Sequence, residues 1–281
     1  RFAREVALSA RVVHPHLVPV HDSGVLADGR PFVAMAHAEN GNLKDLLHSG
    51  FQVRELLRLS EQVCLALSAL HARRLVHQDL KPENVLLHTV PDGRLAAWVA
   101  DLGVADELHS LTRDARRVGG TPVYMAPEQL QGRAQEFGPW TDLYALGLML
   151  YEGLSGRRPH EATARKQLLE LRQAAPPPLI PMSGTELPEE LHELVLALLD
   201  PEPRQRFDRA ADVRRRLRAA RSLLVEGDTL RVTSVSETTE LETTDPVAKA
   251  LTGRRLDQSG ALRWNRVPPK RLPDTPPTWL P

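Results

Sequence analysis

The sequence predicts an α+β fold. Short strand-like runs bounded by turn signals fall within residues 17–35 and 85–99. Amphipathic helical patterns dominate from residue 53 to residue 224. Strands gathered early and helices gathered late are the pattern of a segregated α+β domain. The 281 residues and an apolar content of 42% are enough to bury a sizeable core.

Residues 1–14 read as a helix whose apolar side carries Phe2, Val6, Leu8, Val12 and Val13. His14-Pro15 ends it, because the residue before a proline is pushed out of the α region. Three short strands follow, at 17–20, 24–26 and 32–35, and Asp28-Gly29 makes a tight turn between the last two. Residues 53–74 form a strong helix, with Leu56, Leu59, Val63, Leu67 and Leu70 spaced three or four apart. Strands at 85–87 and 96–99 are joined through Pro91-Asp92-Gly93, a turn-forming run. This hairpin brings Asp79 and Asp101, which flank it, to the same side of one cleft. Further helices are predicted at 141–155, 163–173, 189–199 and 209–224, with Pro188 near the first turn of the third, where its missing N–H costs least. From about Val225 the chain turns polar and Thr-rich, and Pro268-Pro269, Pro273 and Pro276-Pro277 follow. Residues 223–281 therefore read as a linker or disordered tail, separate from a domain at 1–222.

Thirty-six Lys plus Arg balance thirty-six Asp plus Glu, so charge gives no reason to expect nucleic acid or an anionic membrane as partner. Cys64 is the single cysteine, which rules out a disulfide within the chain and favours the cytoplasm. It lies in the apolar helical pattern and reads as a small core residue rather than a nucleophile. No stretch approaches the roughly 20 apolar residues of a membrane span.

Chemistry-bearing residues concentrate in His77-Gln78-Asp79-Leu80-Lys81-Pro82-Glu83-Asn84, closed by Val85-Leu86-Leu87. An acid, a base and an amide at this spacing can gather a hydroxyl, a triphosphate and a divalent metal. Three runs follow in order: Asp101-Leu102-Gly103, then Gly120-Thr121-Pro122-Val123-Tyr124-Met125-Ala126-Pro127-Glu128, then Thr141-Asp142-Leu143-Tyr144-Ala145-Leu146-Gly147. Further on stands Asp200-Pro201-Glu202-Pro203-Arg204. Together these resemble the catalytic loop (H-R-D-L-x-x-x-N), the D-F-G metal site, the A-P-E end of the activation segment, the D-x-W-S-x-G helix start and the D-P-x-x-R of the eukaryotic-type protein kinases. The resemblance covers about residues 1–222, and the subfamily it is similar to is the bacterial Ser/Thr kinases.

The resemblance implies a two-lobed protein-kinase-like fold with an incomplete N-lobe sheet and a mainly helical C-lobe. It implies ATP and Mg²⁺ as cofactors and Ser/Thr hydroxyls of proteins as acceptors. Asp79 would orient the acceptor hydroxyl and take its proton, Lys81 would reach the γ-phosphate, and Thr121 would bridge the two. Asn84 and Asp101 would hold Mg²⁺, since an amide oxygen and a carboxylate suit a hard cation. Glu5 would pair with a nucleotide-positioning Lys. Met35 would be the gatekeeper, Ala36, His37 and Ala38 the hinge that holds adenine, and Leu86 the floor of the adenine pocket. His77 and Leu102 read as spine residues, Glu128 and Arg204 as a buried pair, and Asp142 as an anchor for the catalytic-loop backbone.

Two departures stand out. No glycine-rich loop and no strand-3 Lys precede Glu5, and an Arg at the chain's first position, in the middle of an expected helix, argues for a fragment. A chain without those parts is expected to bind ATP weakly and to transfer phosphate poorly. The second departure is Gln78 in place of an Arg that commonly holds a loop phosphate; Gln brings no charge to such a contact. The competing reading is a pseudokinase or scaffolding module. A further reading adds a fused downstream signalling domain beyond the Pro-rich tail.

Overall fold

The chain divides into two units, 1–234 and 235–281. The computed structural model describes residues 12–102, 106–107, 122–182, 186–224 and 229–230, all in the first unit. Glu5, Thr121 and the Thr/Pro-rich stretch from 231 onward lie outside the described residues.

The fold is α+β, with small two-stranded sheets and a larger helical body. Strand β1 (Val20–Val25) pairs antiparallel with β2 (Pro31–Met35). Their turn is the one expected at Asp28-Gly29: Gly29 takes φ +85°, and the Arg30 amide donates to Asp28 Oδ1 at 3.1 Å. Two corrections apply here. Residues 12–14, the described end of the helix expected over 1–14, are not helical. Of the strand expected at 17–20, Leu17 is only a bridge to Val99 and Val20 opens β1, which continues through His21–Ser23 with a register irregularity between Val20 and Asp22. The reason is tertiary. Val18 N donates to Val99 O at 3.0 Å and Val99 N donates to His16 O at 2.9 Å, so this segment is spent on the later hairpin.

Helix α1 (Leu43–Ser49) was not anticipated. Its signal is a capping box: the Asp45 amide donates to Asn42 Oδ1 and the Asn42 amide to Asp45 Oδ2, satisfying two end donors reciprocally. The two-residue strand β3 (Phe51–Gln52) leads into α2 (Val53–His71), whose inner face is buried along its length. Cys64 sits on that face with no exposure, and burial pushes its thiol far up, so it is a packing residue.

Strand β4 (Leu75–Val76) precedes the catalytic-loop motif and pairs with β7 (Asp106–Glu107). Between them, β5 (Val85–Thr89) and β6 (Leu95–Val99) form the expected hairpin, with Val85 opposite Val99. Its turn repeats the chemistry of the first hairpin, Asp92-Gly93-Arg94 taking the place of Asp28-Gly29-Arg30. Gly93 has φ +82°, and Arg94 Nε donates to Asp92 Oδ2 at 2.8 Å. That bond holds the Asp92 carboxyl below its ordinary range.

The helical body comprises α3 (Pro127–Gln131), α4 (Pro139–Ser155), α5 (Arg165–Leu171), α6 (Glu189–Leu198) and α7 (Ala210–Leu223). Helix α4 is buried on almost every side, as an all-round apolar helix must be. It forms the core with α2, α6 and α7. Gly147 permits the contact between α4 and α6, because a Cβ there would meet Leu198 Cβ at 2.7 Å. Gly147→Ala is expected to lower stability by about 1–3 kcal/mol through overpacking, measured by urea denaturation. Strand β8 (Thr229–Leu230) returns to pair with β3. Among the described residues no helix is long and apolar enough to cross a membrane.

Candidate active site

The site is built on the loop between β4 and β5. Asp142, 1% exposed near the start of α4, holds the loop from beneath. Its Oδ2 accepts from the His77 amide and its Oδ1 from the Gln78 amide, both at 2.9 Å. His71, from the last turn of α2, lies 2.8 Å from the same Oδ2. These contacts support Gln78 in the left-handed region at φ +67°, which a non-glycine residue occupies only when its surroundings compel it. His77 is fully buried. Its Nε2 donates to Ala100 O at 3.0 Å, and its Nδ1 accepts from the Asp79 amide at 3.3 Å. That is a satisfied structural histidine, as its apolar setting implied.

Asp79, Lys81 and Asn84 converge. Lys81 Nζ lies 2.8 Å from Asp79 Oδ2. Asn84 Nδ2 donates to the Asp79 carbonyl at 2.8 Å and reaches Asp79 Oδ2 at 3.4 Å. The 3₁₀ turn Pro82–Asn84 swings Asn84 back over the loop. Across the hairpin, Asp101 follows β6 and also takes positive φ, +63°. Ala100 N donates to Asn84 O at 2.8 Å, which ties the two flanks together.

A cavity of about 270 Å³ opens beside this group, and Met35, Asn84, Leu86, Val99, Asp101 and Leu102 are among its lining residues. Four expected site residues therefore share one cavity: Met35, Leu86, Asn84 and Asp101. Ala36, His37 and Ala38 continue from β2 and do not line it; the Ala36 amide donates to Pro19 O at 2.8 Å. With its Nδ2 given to Asp79, Asn84 retains Oδ1 as an oxygen donor. Together with the Asp101 carboxylate this is a hard-oxygen set, and it fits Mg²⁺.

The activation-segment end closes onto the loop. Gln129 Nε2, in α3, donates to the Gln78 carbonyl at 2.8 Å, while its Oε1 accepts from the Ala126 amide. Sequence reasoning missed Gln129 and His71, since neither stands in a recognised motif position. It also named the wrong partner for Glu128. Arg204 is exposed, and the buried partner is Arg206, whose Nη1 and Nη2 donate to Glu128 Oε1 and Oε2 at 2.9 and 3.1 Å. The 3₁₀ turn Pro203–Gln205 turns Arg204 outward and delivers Arg206 inward. The signal was present two residues on, because Glu202-Pro203-Arg204-Gln205-Arg206 offers the same x-P-x-x-R frame.

Residues 1–215 match the family model described as protein kinase domain. The chain belongs to the protein kinase domain family. This kinase domain is 32% identical over 216 residues to the serine/threonine-protein kinase pkn3 of Myxococcus xanthus, covering 73% of this chain and 39% of that protein. It is 29% identical over 241 residues to the serine/threonine-protein kinase PknD of Chlamydia pneumoniae, covering 76% of this chain and 25% of that protein. PknD of Chlamydia caviae is 30% identical over 235 residues, with 74% and 25% covered. The kinase domain thus spans about a quarter to two fifths of the length of these curated relatives.

Proposed function

We propose that this chain is the catalytic part of an ATP- and Mg²⁺-dependent Ser/Thr protein kinase. The observation that carries the reading is the convergence of Asp79, Lys81 and Asn84 on one loop, facing Asp101 across a hairpin beside a cavity lined by Met35 and Leu86. None of these four polar groups is replaced by a residue unable to do its work, and no observation favours the pseudokinase alternative.

In the reaction, Asp79 accepts the proton of the acceptor hydroxyl, whose oxygen forms a bond to the γ-phosphorus. The bond from that phosphorus to the β–γ bridging oxygen breaks, and ADP leaves. Lys81, held beside Asp79, meets the charge of the transferring phosphoryl group. Asn84 and Asp101 hold Mg²⁺, which when bound neutralises phosphate charge. Alignment and charge cancellation are most of what such a transfer asks of a protein. Met35 and Leu86 line the pocket that receives adenine, Ala36, His37 and Ala38 form the hinge beside it, Glu5 pairs with a nucleotide-positioning Lys, and Thr121 steadies Asp79 against Lys81. Residues 1–222 form the catalytic domain, and 223–281 form a linker or disordered tail whose early part pairs through β8 with β3. The acceptors are cytoplasmic proteins, and a downstream signalling domain is the natural companion of such a linker. The experiment is transfer of labelled γ-phosphate from ATP by the full-length protein to a Ser/Thr acceptor, with Asp79→Ala as control. Transfer that persists in Asp79→Ala would overturn the reading.

Gln78 bears on regulation. It is buried, and its Nε2 has no hydrogen-bond partner among the described residues. An amide offers a phosphate no permanent charge. Ser110→Ala and Thr112→Ala are therefore expected to retain activity within about twofold, a barrier change small against the tenfold that ~1.4 kcal/mol brings. Loss of activity in either variant would show dependence on loop phosphorylation.

A further inference from the structure

We propose that Arg172, just past the end of α5, is a positioning residue that shapes the acceptor-binding loop at residues 122–126, a role that rests on the kinase reading above. Arg172 is 1% exposed and heads the largest fully buried side chains. Its Nη1 donates to the Met125 carbonyl, and its Nη2 donates to the Val123 carbonyl at 2.6 Å. Among the described residues no carboxylate pairs with it. The guanidinium carbon instead lies 5.7 Å from the centre of the Tyr144 ring, which also receives Arg206 at 4.6 Å.

A cation buried against two neutral carbonyls is an expensive arrangement. Packing does not require it, because Met125, Leu130, Ala162 and Leu168 already form a small apolar cluster beside the same loop. What the planar fork adds is geometry. Two donors in fixed relation grip carbonyls two residues apart and so set the backbone between them. Arg165, at the other end of α5, does the same further along, with Nε to Leu130 O and Nη2 to Gln129 O, both at 2.9 Å.

The loop's location supplies the function. Pro122 follows Thr121, which the kinase reading sets between Asp79 and Lys81. Downstream, Gln129 holds the carbonyl of Gln78, the residue next to Asp79. Residues 122–126 thus lead, within a few 3.8 Å backbone steps, into an attachment to the catalytic loop. Under the kinase reading, an acceptor whose hydroxyl reaches Asp79 passes beside the segment that Gln129 ties to Gln78. Arg172 does not line the cavity that Met35 and Leu86 line, so its effect is expected on the acceptor and not on the nucleotide.

The test compares Arg172→Met, similar in length but without donors, and Arg172→Lys, which keeps charge but not the fork. Both are made in the full-length protein, with a Ser-centred peptide selected by the wild type from a positional-scanning library. Arg172→Met is expected to raise the peptide KM about 10- to 100-fold, the scale of losing hydrogen bonds from a charged donor. KM for ATP and the rate of ATP hydrolysis without peptide stay within about twofold of wild type, and Arg172→Lys falls between. In hydrogen exchange, the amides of 123–130 open faster in Arg172→Met while those of 142–154 keep their protection. An unchanged peptide KM, or equal losses for peptide and ATP, would overturn the proposal. So would parallel loss of protection in both segments, which marks a merely structural residue. If the wild type transfers phosphate to no acceptor, the kinase reading fails, and the exchange comparison alone decides whether the clamp exists.

Discussion

Replacing Asp79 by Asn in the full-length protein is expected to lower kcat for phosphate transfer by about 10²–10⁴-fold, the usual contribution of a positioned general base. The variant is nearly isosteric, and the loop that carries it stays anchored, because Asp142 holds the His77 and Gln78 amides independently of the Asp79 side chain. Asn84 also keeps its bond to the Asp79 backbone carbonyl. Lys81 loses its carboxylate partner at 2.8 Å, which adds to the defect. Nucleotide binding should survive, since Met35, Leu86 and Asp101 line the cavity without Asp79. Measuring kcat alongside the ATP dissociation constant checks this. A fall in kcat of less than tenfold would mean that Asp79 orients the hydroxyl without taking its proton. A parallel loss of ATP affinity would mean that the loop had collapsed.

The largest effect on stability is expected from the pair between Glu128 and Arg206. The two side chains are 1% and 0% exposed and are joined by two hydrogen bonds. Removing either partner strands a buried charge, which costs about 3–5 kcal/mol. Glu128→Ala additionally deprives the Thr141 hydroxyl of its acceptor at 3.0 Å. Arg206→Ala removes a guanidinium that also donates to the Asp200 and Pro201 carbonyls and lies over Tyr144. Both variants should therefore unfold at markedly lower denaturant concentration. Arg204→Ala is the discriminating comparison. It alters an exposed side chain and should change stability by no more than about 0.5 kcal/mol. If Arg204→Ala were as damaging as Arg206→Ala, the x-P-x-x-R frame would be the first one after all. Urea denaturation of the three variants, with slopes compared, settles which arginine the fold depends on.

Much of the site could be read directly. Its polar members lie within six consecutive residues, Asp79 to Asn84, and a loop that short brings them together whatever surrounds it. Asp101 follows from the hairpin, since antiparallel pairing of Val85 with Val99 places its two flanks side by side. The long helices were equally legible, because three- and four-residue spacing of leucines survives into any packing that buries them. The errors came where local signals were degenerate. Two overlapping x-P-x-x-R frames carry the same local information, and only the direction in which the 3₁₀ turn Pro203–Gln205 delivers its next residue separates them. Residues 12–18 have strand-like and helix-like features together. His16 and Val18 join neither element, because the His16 carbonyl and the Val18 amide are used by the distant Val99.

The sequence by itself determined the α+β class, the order of the catalytic elements and the identity of the residues that meet at Asp79. These properties depend on spacing along the chain. Only the tertiary structure decided which arginine neutralises Glu128, that Gln129 and His71 brace the catalytic loop, and that Arg172 grips the carbonyls of Val123 and Met125. Each of these contacts joins residues far apart in sequence, and in each a buried charge or backbone amide takes whichever partner the packing brings within reach. No local pattern encodes that choice. It follows from the requirement that a polar group removed from water find a partner, and the partners on offer are known only once α2, α4 and α5 have docked.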